Sequence, residues 1–221
     1  MNIGFYGHSA CVQYPENTVT HFIDLIERHF SGSKIIKHGY VQCSEERILY
    51  NLKKTDKLDL CIIFHSYPGY YFIPALKRDA YYTTKREELE IKFNKYFFEK
   101  TNINREEFIN AVEIYNKFFY NKENAFNRYY GALIQIDQYL LAKNIPTVHC
   151  ITNHPHICYP SWFEFKSGVI SSEPNHIKHT YEEPNHLKSG NNVTEEGNKL
   201  IYEMLLPLID QAFEKTGKPK P

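Results

Sequence analysis

The stretch LDLCIIFH, residues 58–65, is apolar at every position but Asp59 and His65, and polar residues flank it on both sides. A strand with one face in water alternates apolar and polar side chains. A strand covered on both faces has no reason to alternate, and such strands belong to parallel sheets with helices on either side. Residues 58–65 therefore predict a strand of a parallel sheet in an α/β fold.

The segments around it fit that reading. Before it, SEERILYNLKK (44–54) reads as a helix. Ser44 suits the N-cap, Glu45 and Glu46 favour the positive end of the helix dipole, and Lys53 and Lys54 favour the negative end. KIIKHG (34–39) is a strand closed by a glycine. Residues 17–30 place Val19, Phe22, Ile23, Ile26 and Phe30 at helical spacing. Residues 2–6 carry Ile3 and Phe5 on one side of a short strand that ends at Gly7.

After it, residues 84–143 are mostly helical in pattern and rich in Tyr, Phe, Lys and Glu, with 128–144 the clearest helix. IPTVHCIT (145–152) is a further strand, in which His149 and Cys150 face opposite sides. Residues 153–192 are irregular. The closing helix is predicted over 194–213, with Thr194 as its N-cap and Pro207 expected to kink it. Alternation of strand and helix gives an open, mostly parallel sheet with helices on both faces. In such sheets reactive groups gather at the carboxyl ends of the strands.

The 221 residues suffice for one large domain, read as 1–221. Lys+Arg and Asp+Glu are 26 each, so no net charge draws the chain to nucleic acid or an acidic membrane. No apolar run is long enough to span a bilayer. The N-terminus shows neither the basic region nor the apolar core of a signal peptide. The five cysteines form no CxxC pair and read as reduced thiols, so a cytoplasmic setting is expected. His149, His154, His156, His176 and His179 fall in one region with Cys150 and Cys158, but their spacing matches no zinc pattern; no metal and no cofactor is expected.

Three short motifs follow one another along the chain: Gly7-His8-Ser9-Ala10 after the first strand, Gly39 after the second, and Glu183-Pro184-Asn185-His186 before the last helix. In this order they resemble the SGNH/GDSL hydrolase family over nearly the whole chain. The resemblance implies a three-layer, flavodoxin-like SGNH fold in which the aromatic-rich helical segment, about 84–143, is an insertion. It also implies roles. Ser9 matches the nucleophile and His186 the general base, while Glu183 stands where the family has an aspartate that orients the histidine. The N–H groups of Ser9 and Gly39 match two oxyanion donors. A serine hydroxyl needs such a base to become nucleophilic, and the developing oxyanion needs fixed donors.

This sequence departs from the family pattern twice. His8 replaces the aspartate of Gly-Asp-Ser, and FHSYPGYYF (64–72) stands where the family has Gly-x-Asn-Asp. His65, Ser66 or Gln42 would have to supply the third oxyanion donor. His8, His65, Arg47 and Arg78 are candidates for the rim of a substrate pocket. His176, in PNHIKH, rivals His186 as the base. The N-terminal Gly-x-Ser and the aromatic middle look closer to divergent phage and virus members than to secreted lipases, which leaves host cytoplasm or a virion as settings.

The function implied is ester hydrolysis, with a carbohydrate O-acetyl group as one substrate. Two alternatives remain open: a catalytically weak SGNH-like binding or assembly protein whose aromatic middle makes a partner or homo-oligomer contact, and an acyltransferase using the same triad.

Overall fold

The computed structural model describes residues 1–7, 11–12, 20–40, 43–66, 68–74, 78–81, 103–151, 163–171 and 194–220. In chain order its elements are β1 (Asn2–Gly7), α1 (Phe22–His29), β2 (Lys34–Gly39), α2 (Glu45–Lys54), β3 (Leu60–Phe64), β4 (Tyr70–Ile73), β5 (Arg78–Tyr81), α3 (Arg105–Phe118), α4 (Lys122–Ala142), β6 (Thr147–Cys150), β7 (Val169–Ile170) and α5 (Glu195–Thr216).

The main sheet runs β2-β1-β3-β6-β7 and every pairing in it is parallel. Apart from the β4–β5 hairpin, which pairs antiparallel as a separate sheet, this is the flavodoxin-like order 2-1-3-4-5. The strand predicted from residues 58–65 is buried as expected at all five residues of β3, and it takes the middle place in the sheet.

Strand alternation sorts the core into two layers. Ile3, Phe5, Leu60, Ile62, Phe64, Val148 and Cys150 face α1 and α5. Tyr6, Cys61 and Ile63 face α2 and the C-terminal half of α4, where Ile136 and Leu140 lie. His149 and Cys150 do point to opposite sides: Cys150 joins the first layer, and His149 meets His65 on the other. The part of the helical middle that packs on the sheet is thus α4, on the crossover that a parallel β3–β6 pair requires.

Three details differ from the sequence reading. Helix α1 starts at Phe22, because His21 is extended and caps it: its Nδ1 accepts the Ile23 N–H at 3.2 Å, and Asp24 accepts the His21 N–H at 3.3 Å. The β4–β5 hairpin and the two-residue edge strand β7 were not expected; both are too short to leave a periodic signature. Helix α5 continues past Pro207 to Thr216 and is closed by Gly217 at φ 66°. Its N-cap is Thr194, as predicted, and Ser44 caps α2. Among the described residues no helix is long and apolar enough to cross a membrane.

Candidate active site

At the carboxyl end of the sheet, Gly7 lies between Gly39 of β2 and Phe64 of β3 in the strand register. This is where a flavodoxin-like order reverses direction, and where such folds hold their ligands. Gly7 has φ 137°, and a Cβ there would meet the Phe64 carbonyl oxygen at 2.1 Å. Both facts demand glycine. The Tyr40 N–H donates to the Gly7 oxygen at 3.0 Å, so β2 stays paired to the last residue of β1. Gly39 is equally constrained. A Cβ on it would lie 2.3 Å from the Cys11 carbonyl oxygen. The chain that leaves β1 at Gly7 therefore returns at Cys11 to lie directly against Gly39.

His8 and Ser9 fall in the three residues between these anchors and lie outside the described residues, as do Gln42, His176, Glu183 and His186. The described candidates have clear surroundings. Ser66 follows β3 and is buried; its N–H donates to Glu45 Oε1 at 2.6 Å, so only its hydroxyl is left for an incoming group. His65 is fully buried, with Nδ1 3.0 Å from Glu45 Oε2 and Nε2 2.9 Å from His149 Nδ1. That position takes it off any pocket rim and out of the oxyanion role, since both ring nitrogens are already engaged.

Arg47 is also committed. Its Nη1 lies 2.7 Å from Asp79 Oδ2 and its guanidinium stacks over Tyr40, 3.3 Å from the ring centroid. Asp79 neutralises the charge that an anionic substrate would need, while the stack fixes the residue next to Gly39. Burial pushes the Asp79 carboxyl up, against hydrogen bonds from Ser44 and Arg47. Arg78 is the first residue of β5, and its side chain is outside the described set.

The first turn of α2 is a hub that the sequence reading treated only as a dipole match. Glu45 holds His65 and Ser66. Glu46 accepts the Phe72 N–H at 2.8 Å and takes a two-pronged contact from Arg128 of α4. Ser44, the N-cap, donates its hydroxyl to Asp79 of β5 at 2.6 Å. Three successive residues thus tie the end of β3, the hairpin and α4 to one helix end.

The described thiols offer no activated nucleophile. Cys11, Cys43, Cys61 and Cys150 are buried and unpaired, and burial pushes each thiol up, away from the thiolate. Among the described residues no group of His, Cys, Asp and Glu converges to hold a metal ion.

A parallel sheet in this order, with glycines forced at the ends of its first two strands, is a flavodoxin-like fold. A solved structure bears this out: a protein assigned to the lipolytic G-D-S-L family, from Desulfitobacterium hafniense, superposes with a TM-score of 0.50 at 10% identity, over 94% of this chain and 98% of its own. A second G-D-S-L protein, from Veillonella parvula, aligns over 95% of this chain and 98% of its own at 9% identity, with a TM-score of 0.37 that adds no weight. No protein-family model and no curated protein matches the sequence.

Proposed function

We propose that the chain is a serine-dependent ester hydrolase of the SGNH type. Ser9 attacks the ester carbonyl and passes its proton to His186, which Glu183 orients. The alcohol leaves with that proton, and water then cleaves the acyl-enzyme by the same base. The N–H groups of Ser9 and Gly39 hold the oxyanion, with the Ser66 hydroxyl or Gln42 as third donor. The substrate is a small or carbohydrate ester, an O-acetyl sugar fitting the serine chemistry.

One observation carries this reading. Gly7 and Gly39 are sterically obligatory at neighbouring strand ends, and the chain on either side of Ser9 is anchored to them, at Gly7 itself and at Cys11. The G-D-S-L likeness supports the same assignment through the fold.

The test is labelling of the folded protein with a fluorophosphonate, followed by mapping of the modified peptide. Labelling at Ser9 that disappears in His186→Ala is the expected result. Labelling that persists in His186→Ala but is lost in His176→Ala would transfer the base to His176. Absence of labelling would overturn the hydrolase reading.

A binding or assembly role is favoured by a different feature. Ile114, Phe118 and Phe119 at the end of α3 are 53%, 68% and 65% exposed, unusual for side chains of this size. Light scattering over a range of concentrations, on the wild type and on Phe118→Ser, separates this reading from a purely catalytic one.

A further inference from the structure

A continuous chain of buried side chains crosses the sheet on its α2–α4 side. Glu45 Oε2 lies 3.0 Å from His65 Nδ1, His65 Nε2 lies 2.9 Å from His149 Nδ1, and His149 Nε2 lies 3.1 Å from Ser167 Oγ. All four residues are at most 4% exposed. The two imidazole planes lie within 15° of each other with centroids 5.2 Å apart, and Phe165 covers His149 with its ring centroid 4.0 Å away. Both ends are pinned. Glu45 Oε1 accepts the Ser66 N–H, and Asp137 Oδ1 accepts the N–H groups of Lys166 and Ser167 at 2.9 and 2.8 Å.

The chemistry of the partners fixes the protons. A carboxylate only accepts, so His65 Nδ1 carries hydrogen. In the neutral pair His65 Nε2 then accepts from His149 Nδ1–H, and the Ser167 hydroxyl donates to His149 Nε2. Every hydrogen bond of the chain is made, and all run toward Glu45. One added proton is accommodated by reversal. His65 becomes an imidazolium, donating to Glu45 and to His149 Nδ1, while His149 stays neutral with its hydrogen on Nε2, donating to Ser167 Oγ. No heavy atom has to move, and the new charge sits against the Glu45 carboxylate.

We propose that Glu45, His65, His149 and Ser167 form a proton relay that binds one proton as a unit by reversing its hydrogen bonds. The ester-hydrolase reading is not needed for it. The charged groups around the chain, among the described residues, support this placement of the proton. Glu45 of α2 faces His65. Asp137 of α4 is taken up by two backbone N–H groups on the far side of Ser167. Lys215 of α5 donates its ammonium to the Gly168 carbonyl and disfavours positive charge on His149. Burial, and then His65 and Lys215, push His149 well below the usual histidine range, so the second ring passes the proton without keeping it. The relay also keeps the turn after β3 in place: Glu45 holds the Ser66 N–H through Oε1, the oxygen that His65 does not use.

Long-range proton–nitrogen NMR on the full chain with ¹⁵N-histidine tests this, over a titration from about pH 8 to about pH 5, the range in which histidines change charge. The expected result is a single midpoint at which His65 becomes doubly protonated while His149 exchanges its Nδ1–H form for the Nε2–H form. Ser167→Ala takes a hydrogen bond from both states, but only in the reversed state does it orphan a buried N–H, the costlier loss, so its midpoint is expected at lower pH. A His149 that keeps its Nδ1–H form throughout, two separate midpoints, unfolding before either ring titrates, or an unshifted midpoint in Ser167→Ala would each overturn the proposal.

Discussion

Asn198 Oδ1 accepts the backbone N–H of Phe22 at 3.0 Å, across 176 positions of chain. Phe22 opens α1, the helix that follows the Ser9 segment, and Asn198 lies in the first turn of α5, the helix that follows Glu183 and His186. The same amide donates its Nδ2 hydrogen to the Thr194 carbonyl at 3.0 Å. One buried side chain thus closes an otherwise unmet N–H of one helix while bracing the N-cap of the other. In Asn198→Ala the Phe22 N–H loses its partner in a buried setting. The expected cost is about 1–3 kcal/mol, the usual penalty for an orphaned buried donor. Asn198→Asp keeps the acceptor and is expected to lose less. Urea unfolding of the three proteins checks the order; an alanine variant as stable as wild type would contradict it.

Gly7→Ala and Gly39→Ala are expected to be among the most damaging single substitutions. Each new Cβ meets backbone, the Phe64 carbonyl at 2.1 Å or the Cys11 carbonyl at 2.3 Å, so no side chain can rotate away. Gly7→Ala adds a positive-φ strain and is expected to cost more than about 3 kcal/mol. Gly39→Ala must displace Cys11, so in the proposed hydrolase it is expected to lower fluorophosphonate labelling of Ser9 more than it lowers Tm. Thermal melts with parallel labelling read both.

The layer structure was legible because burial leaves a direct trace in sequence. Residues 58–65 announced a strand covered on both faces, and Ser44, Thr194 and the lysine-ended helix at 44–54 announced their own boundaries. The glycines ending β1 and β2 were legible as well, but the reason they are required is a contact between distant segments. Glu45 shows the limit. From sequence it is an acid in a helix's first turn, which the dipole alone accounts for. Its contact with His65 depends on how β3 and α2 pack, and that information is spread over both elements. His21 was hidden for another reason, since histidine is not among the preferred N-caps. The Glu45–His65–His149–Ser167 chain spans residues 122 positions apart in sequence, and no local pattern marks it.

Two ion pairs at the start of α2 are expected to behave differently. Arg47 and Asp79 are 13% and 2% exposed, whereas Arg128 and Glu46 are 34% and 29% exposed. Asp79→Ala leaves a guanidinium without its counter-ion in a mostly dry site and also strips the N-cap Ser44 of its acceptor; about 3–5 kcal/mol is expected. Solvent screens the second pair, and a double-mutant cycle on Glu46 and Arg128 is expected to give a coupling below about 1 kcal/mol. Similar couplings from cycles on both pairs would refute the distinction.

Stability is expected to fall on mild acidification, and the sign follows from the histidines. Burial holds His149 well below its ordinary value, and burial with Arg47 nearby lowers His38. The unfolded chain binds those protons near pH 6.5, while the folded chain refuses them, so the unfolded state gains below that point. Unfolding free energy should therefore be level above about pH 7 and decline below about 6.5, with a slope of up to about 1.4 kcal/mol per pH unit for each proton refused. Asp79 acts in the opposite sense: burial raises its carboxyl, so the folded state keeps a proton that the unfolded chain gives up, and this opposes part of the decline. His38 is only half-buried, and solvent reduces its share. His38→Gln is accordingly expected to remove a minor part of the slope and leave the His149 part intact. Urea unfolding at half-unit steps of pH reads this directly; stability that stays level from neutral pH down to about 5 would show that the folded chain takes up these protons as readily as the unfolded one.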